Sequence, residues 1–413
     1  MERVVITGVG AVSALGLGAE TNFMQALNAQ SGIGLLDETL APHVVCGIAA
    51  HIKFPLPDLF KKSEAPLFDR FAMLAWVAAL EALQQSGVVD AALDPGHCGV
   101  FWGTGMGGAQ TLEAGYVDLF LENKNRLRPL SVVAVMNNAA AGQIALRAGF
   151  RGSVNTYSTA CVSSAQAIGE AFRHIRHGYA KCIIAGGSEA LLTRGVLSAW
   201  DALRVLASLD TDHPERSCRP FALDRTGLVL GEAGAAIVLE SLSSAQARGA
   251  TILAELVGYG ASNDATHMTK PDPLGQARAM QAALSDAHLN PADIGYINAH
   301  GAGTLAGDVA ETESIKLVFG AAAKTVMVSS TKAVHGHTLG AAGALEFMLS
   351  VMVLRSGDIP PTAFLDQRDP QCDLNMVPLQ ARTDKSLRAV MSNSFAFGGS
   401  NVALIAQKYS AAD

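Results

Sequence analysis

Ser153-Val154-Asn155-Thr156-Tyr157-Ser158-Thr159-Ala160-Cys161-Val162-Ser163-Ser164 reads as a strand delivered straight into a helix. Ser153–Tyr157 is β-rich, and from Ala165 to His177 apolar residues recur at helical spacing (Ile168, Ala171, Phe172, Ile175). The join puts a cysteine at the first turn of the helix. There the positive end of the helix dipole favours thiolate over thiol. A sharp strand-to-helix turn also lifts the sulfur clear of the backbone, as the nucleophile elbow of hydrolases does for serine. One cysteine alone is more often a core residue, so the residues further along decide its meaning.

The same alternation runs outward in both directions. Strands are expected at Val4–Thr7, Gly99–Trp102, Val154–Thr156, Cys182–Ala185 and Ala235–Glu240, with helices at Phe71–Gln85, Val132–Arg147 and Val162–His177. After about residue 250 the pattern restarts. Strands follow at Ala254–Gly260, Tyr296–Ala299, Val326–Ser329, Ala389–Ser394 and Val402–Gln407, and helices at Gln276–Ala287, Val309–Leu317 and Leu339–Leu354. This is α/β layering from two similar halves, 1–250 and 251–413. Leu206 to Asp224, with Pro214 and Pro220, reads as a long loop. Gly8-Val9-Gly10-Ala11-Val12-Ser13 approaches a dinucleotide fingerprint, but Ser13 stands where the third glycine belongs and no acidic residue closes a second strand. The expectation there is a tight turn.

Composition sets the limits. The 413 residues are 49% hydrophobic and 16% charged, with 41 glycines, which describes a well-buried globular protein. A net charge of −7 is too mild and of the wrong sign for a nucleic-acid binder. The six cysteines form no CxxC pair and the eleven histidines no HExxH, so neither a metal site nor a disulfide framework is indicated. Met1 to Gly8 reads as a strand and turn rather than a signal peptide, and no apolar run is long and clean enough for a membrane. A cytoplasmic enzyme is the expectation.

Four further segments look unlike ordinary core. Ile297-Asn298-Ala299-His300-Gly301 ends an apolar strand on a histidine, with glycine letting a substrate approach the backbone. Ser329-Ser330-Thr331-Lys332-Ala333-Val334-His335-Gly336-His337 follows the same grammar with a lysine and two histidines. Asn393-Ser394-Phe395-Ala396-Phe397-Gly398-Gly399 is a glycine-rich turn between strands, and Gly103-Thr104-Gly105-Met106-Gly107-Gly108 a flexible turn after one. Carboxyl ends of strands in an open α/β sheet converge on one crevice, which gathers Cys161, His300, Lys332 and His337.

These motifs resemble the elongating β-ketoacyl-acyl carrier protein synthases of the thiolase-fold superfamily, over essentially the whole chain. Thr159-Ala160-Cys161, Asn298-Ala299-His300-Gly301, Ser330-Thr331-Lys332 with Gly336-His337, and Asn393-Ser394-Phe395 with Phe397-Gly398-Gly399 carry the likeness. The resemblance implies a five-layered αβαβα fold and the following roles. Cys161 takes the acyl group, and His300 and His337, rather than His335, stabilise the enolate. Lys332 pairs with Glu311, while Asp308 and Glu346 help order the site. Phe397, with Phe395, Gly398 and Gly399, forms the gate and part of the oxyanion hole. Met106 and Trp200 border the acyl pocket, and Thr269 and Thr304 the pantetheine arm. Lys61, Lys62, Arg126, Arg128 and Arg204 are candidates for gripping an acidic carrier protein. No metal or redox cofactor is implied, since substrates ride on the phosphopantetheine of acyl carrier protein. A dimer across Val154–Thr156 is implied, either with a second copy or with a chain-length-factor-like subunit.

The sequence departs from the family pattern near the substrate. Ser158 and Val162 flank the cysteine, Ala302 and Gly303 replace a hydroxyl pair, Leu305 replaces a proline, and Ala396 replaces a glycine. Losing one hydroxyl contact to the arm costs about 1 kcal/mol. The expectation is a specialised synthase for polyketide or polyene chains. The rivals are a coenzyme A-dependent thiolase, which needs a second cysteine in a setting that Cys372 lacks, and a priming synthase, which Lys332 with His337 disfavours. A non-catalytic chain-length partner would lack the nucleophile.

Overall fold

The computed structural model describes residues 1–37, 39–40, 46–61, 63–91 and 93–410. The strands along the path of its main sheet are β1 (Val4–Ser13), β2 (Cys98–Gly103), β3 (Val154–Tyr157), β4 (Cys182–Glu189), β5 (Ala233–Ser241), β6 (Ala254–Asn263), β7 (Ile294–Asn298), β8 (Met327–Ser329), β9 (Ala389–Phe395) and β10 (Ser400–Gln407). Edge to edge they run β8-β7-β9-β10-β6-β1-β5-β4-β2-β3. Numbered within its own half, each set of five repeats one order: 3-2-4-5-1 on one side and 1-5-4-2-3 on the other. The halves meet where β1 pairs antiparallel with β6, Val4 opposite Leu256. In both halves the outer three strands are parallel and the inner pairings antiparallel.

The helices used below are α1 (Arg70–Ser86), α2 (Ala139–Ala148), α3 (Ser163–Arg176), α4 (Arg194–Ala202), α5 (Pro273–Ala287), α6 (Leu305–Phe319) and α7 (Ala342–Ser356). α3 and α7 form the middle layer, with Ile168, Phe172, Leu345 and Phe347 in one core shared with β1, β5, β6 and β10. α1 and α2 cover the outside of the first half and α5 and α6 the outside of the second. The layering is therefore αβαβα. α7 is buried on every side from Ala342 to Leu354, as a helix between two layers of sheet must be. Leu339–Ser356 is in fact long and apolar enough to cross a bilayer, contrary to the sequence reading, but nearly all of it is buried inside the fold.

Two local expectations fail for physical reasons. Gly8 to Ser13 is the middle and end of β1, not a turn. A Cβ on Gly8 would lie 2.1 Å from the Ala82 carbonyl, and one on Gly10 2.2 Å from that of Ala78, so these glycines let α1 lie directly on the strand. No phosphate-binding turn exists there. The helix expected over Val132–Arg147 is split into Ser131–Val135 and α2, with the chain turning extended at Met136 before Asn137 and Asn138. Asparagine competes with the helix for backbone hydrogen bonds.

Candidate active site

Strand ends supply the reactive groups. β3 runs through Ser158 and Thr159 into a tight turn, Ala160–Val162, that feeds α3. Ala160 sits at φ 52, a left-handed conformation unusual for a residue with a side chain. Gly103 at the end of β2 lets α3 approach, since a Cβ there would lie 2.3 Å from the Ser164 nitrogen. From the other half, His300 follows β7 and Lys332 follows β8, while the β9–β10 hairpin carries Phe397. Gly398 (φ 89) and Gly399 (φ 75) close that hairpin in conformations that favour glycine. His337 arrives one short turn, Lys332–His335, after β8.

These elements enclose a cleft of about 270 Å³ that Cys161, His300, His337 and Phe397 all line. The two histidine rings meet edge to face with centroids 5.2 Å apart. Trp200 of α4 also lines the cleft and stacks on Phe397 at 5.9 Å and 21°. Phe395, Gly399, Thr269, Thr304 and Arg204 border it too, as does Ala302.

Hydrogen bonds fix the histidine tautomers. Leu339 N–H donates to His337 Nδ1 at 3.0 Å, so the ring proton is on Nε2. The Lys332 ammonium lies 3.5 Å from His300 Nδ1 and donates to the His300 carbonyl at 2.6 Å. An ammonium only donates, so His300 Nδ1 is also bare and Nε2 protonated. Burial, reinforced by the Lys332 charge, holds both rings well below the ordinary histidine value. The cleft therefore faces two neutral imidazoles, each with an Nε2–H to donate.

Lys332 is fully buried and its partner is Glu346 of α7, not Glu311. The reason is that both Glu311 oxygens are already occupied, accepting the His300 N–H at 2.8 Å and the Gly301 N–H at 2.7 Å. Burial raises Glu346 to about 7 with the Lys332 charge opposing it. Asp308 accepts N–H groups from Gly303 (3.1 Å) and Phe221 (2.7 Å) and faces Arg225 at 3.6 Å. These carboxylates stand behind the cleft and shape the main chain around His300.

The thiol departs from expectation. Burial pushes Cys161 up to about 12, against the pull of Lys332 and of the nearby Phe397 N–H. Desolvation outweighs the charge and the N–H groups that favour thiolate.

Met106 is 46% exposed and does not line the cleft. Its loop is held from behind by Glu189, a residue the sequence reading passed over. Glu189 is fully buried at the end of β4 and accepts N–H groups from Gly105 (2.6 Å), Met106 (3.2 Å) and Gly340 (3.0 Å), and the Thr104 hydroxyl (3.1 Å). Lys61, Arg126 and Arg128 are exposed but away from the cleft, and Lys62 lies outside the described residues. The cations bordering the cleft are Arg204 and Lys270, the second unforeseen. Gly398 donates its N–H to the Met268 carbonyl at 2.7 Å, tying the hairpin to the loop that carries Thr269. Cys372 is buried in the outer core of the second half, remote from this cleft.

Residues 1–245 match the family described as the N-terminal domain of beta-ketoacyl synthase, and residues 253–366 match its C-terminal domain. The chain belongs to the β-ketoacyl synthase family. It is 40% identical over 418 residues, 99% of each chain, to 3-oxoacyl-[acyl-carrier-protein] synthase 2 of Staphylococcus aureus (strain COL). Among solved structures, a β-ketoacyl synthase from Burkholderia phymatum STM815 superposes with a TM-score of 0.92 at 35% identity, covering 99% of this chain and 100% of that one. The ishigamide ketosynthase/chain length factor does so with a TM-score of 0.92 at 30% identity and the same coverage.

Proposed function

We propose that this protein joins an acyl group held on Cys161 to malonyl-acyl carrier protein, releasing CO2 and a β-ketoacyl carrier. The observation that carries this is the cleft itself, in which one thiol, two neutral Nε2–H donors and the Phe397 N–H share a single space. In the first half-reaction the Cys161 sulfur attacks the acyl thioester and its proton ends on the departing carrier sulfur. The N–H groups of Cys161 and Phe397 hold the carbonyl oxygen as it gains charge. In the second, malonyl carrier loses CO2 and leaves an enolate whose oxygen is held by His300 and His337. The enolate carbon attacks the acyl carbon, the C–S bond breaks, and the departing Cys161 thiolate takes up one proton from solvent. No electrons leave the substrates, so the chemistry calls for no free cofactor, only carriers bearing phosphopantetheine.

Lys332 with Glu346 would hold His300 in place, and Glu311 and Asp308 would hold its backbone. Trp200 and Phe397 would gate the acyl chain, with Thr269 and Thr304 along the arm and Arg204 at the carrier. Residues 1–250 would supply the nucleophile and residues 251–413 the donors, in the cytoplasm. Ala302 in the cleft wall and Leu305, 65% exposed at its mouth, favour a specialised polyketide or polyene substrate. The outer edge β3 and the nearby exposed Tyr116, Phe120, Leu121 and Val132 form the surface a second subunit would cover. That subunit is a second copy or a chain-length-factor-like partner.

Intact-mass analysis after incubation with acyl carriers of varied length and unsaturation tests the proposal. One acyl adduct on the wild-type protein and none on C161A is the expected result. No adduct with any carrier sinks it, and a clear preference for saturated chains removes the specialised substrate.

A further inference from the structure

His335 is left without a task by the chemistry above, yet it is fully buried two residues from His337, behind the cleft. Its Nδ1 lies 2.8 Å from the Gly336 carbonyl. A carbonyl only accepts, so Nδ1 carries the hydrogen. Burial, with the Lys332 charge beside it, lowers the ring to about 3, so Nε2 is bare. The Thr331 hydroxyl then donates to Nε2 at 2.9 Å. Every proton in this chain has one direction, and the chain ends on the carbonyl of the peptide that leads into His337.

That peptide is gripped at its other end as well. The His337 N–H donates to the Val229 carbonyl at 2.6 Å, and the His337 carbonyl accepts the Gly231 N–H at 3.0 Å. Gly336 itself sits at φ 67, and a Cβ there would lie 2.9 Å from both Ala50 Cβ and the Val229 oxygen. Glycine is the freest joint in the segment, so the plane of the Gly336–His337 peptide depends on its hydrogen bonds. The His335 Nδ1–H is the bond on the Gly336 side.

We propose that His335 is a positioning residue for the condensation step, acting as a fixed Nδ1–H donor that sets the Gly336–His337 peptide and so aims His337 Nε2–H at the enolate. This rests on the reaction proposed above. It requires the two half-reactions to respond differently, because His337 serves the enolate and not the attack by Cys161.

Two near-isosteric substitutions separate donor from bulk. The Asn amide in H335N reaches the place of Nδ1 and keeps the donor to Gly336. The Gln amide in H335Q reaches the place of Nε2 and leaves the Gly336 carbonyl without it. Cys161 acylation is read by intact mass, condensation by β-ketoacyl carrier formed from malonyl carrier, and folding by thermal unfolding. H335N is expected to condense within about twofold of wild type. H335Q is expected to acylate normally but to condense on the order of 10- to 100-fold more slowly, the scale of an ångström-sized misplacement. Folded H335Q condensing like wild type overturns the inference, and so does a parallel fall in both half-reactions. If H335Q does not fold, H335N decides: selective loss of its condensation overturns the inference, and retention upholds it. Absence of any adduct on wild-type Cys161 instead overturns the underlying reaction.

Discussion

The two halves share a strand order but not a cargo. The strand ends β2, β3 and β4 correspond to β7, β8 and β9. The first set yields a glycine-rich loop, Cys161 and Glu189; the second yields His300, Lys332 and the Phe397 hairpin. One half thus holds the sulfur, and the other holds the donors and the buried cation. The carboxylates differ in the same way. Glu189 is balanced entirely by N–H and O–H dipoles, whereas Glu346 is balanced by an ammonium. The pseudo-symmetric frame therefore brings two unlike electrostatic environments to one cleft.

The largest effect expected of this division concerns the thiol. With Cys161 pushed up to about 12, thiolate is the minor form at neutral pH and grows about tenfold per pH unit below the pKa. Iodoacetamide alkylation of Cys161, followed by mass spectrometry, should therefore climb by roughly 10³-fold between about pH 7 and about pH 10. A plateau near neutrality would mean that Lys332 and the N–H groups around the sulfur outweigh its burial. Next comes K332M, which leaves the buried Glu346 without its cation. A loss of about 3–5 kcal/mol in unfolding free energy is expected from denaturant titration, with condensation lost as well. Unchanged stability would show that the second half does not depend on this pair. The smallest effect belongs to E189Q, where an amide replaces a carboxylate that accepts from four donors. About 1–3 kcal/mol of stability should go, with Cys161 acylation slowed less than condensation is by K332M. A larger loss than K332M would reverse the ranking of the two environments.

Sequence patterns located the strands well, and the failures share a cause. Cys182–Ala185 was legible as a strand, but Gly186 and Gly187 ended the reading, although β4 continues to Glu189. A Cβ at Gly186 would lie 2.1 Å from the Ala235 carbonyl, so the glycine serves close packing rather than a turn. Stopping there hid Glu189. Gly8 and Gly10 misled in the same way in β1. Periodicity reports which face is apolar and says nothing of how near the next layer comes. The candidate site residues were legible because each follows a strand closely. The partner of Lys332 was not, because spacing alone cannot say whether Glu346 faces solvent or core. The clue was α7, apolar on all sides, where a lone carboxylate has no water to meet. The upward push on the Cys161 thiol was not legible, because the helix end shows in the sequence and the depth of burial does not.

The stack between Trp200 and Phe397 has a practical corollary. Of the three tryptophans, Trp76 and Trp102 belong to the core beneath α1, which leaves one indole bordering the cleft. Its ring stacks on Phe397, in the hairpin proposed above as the gate. If that gate moves, Trp200 emission should follow it with no dye attached.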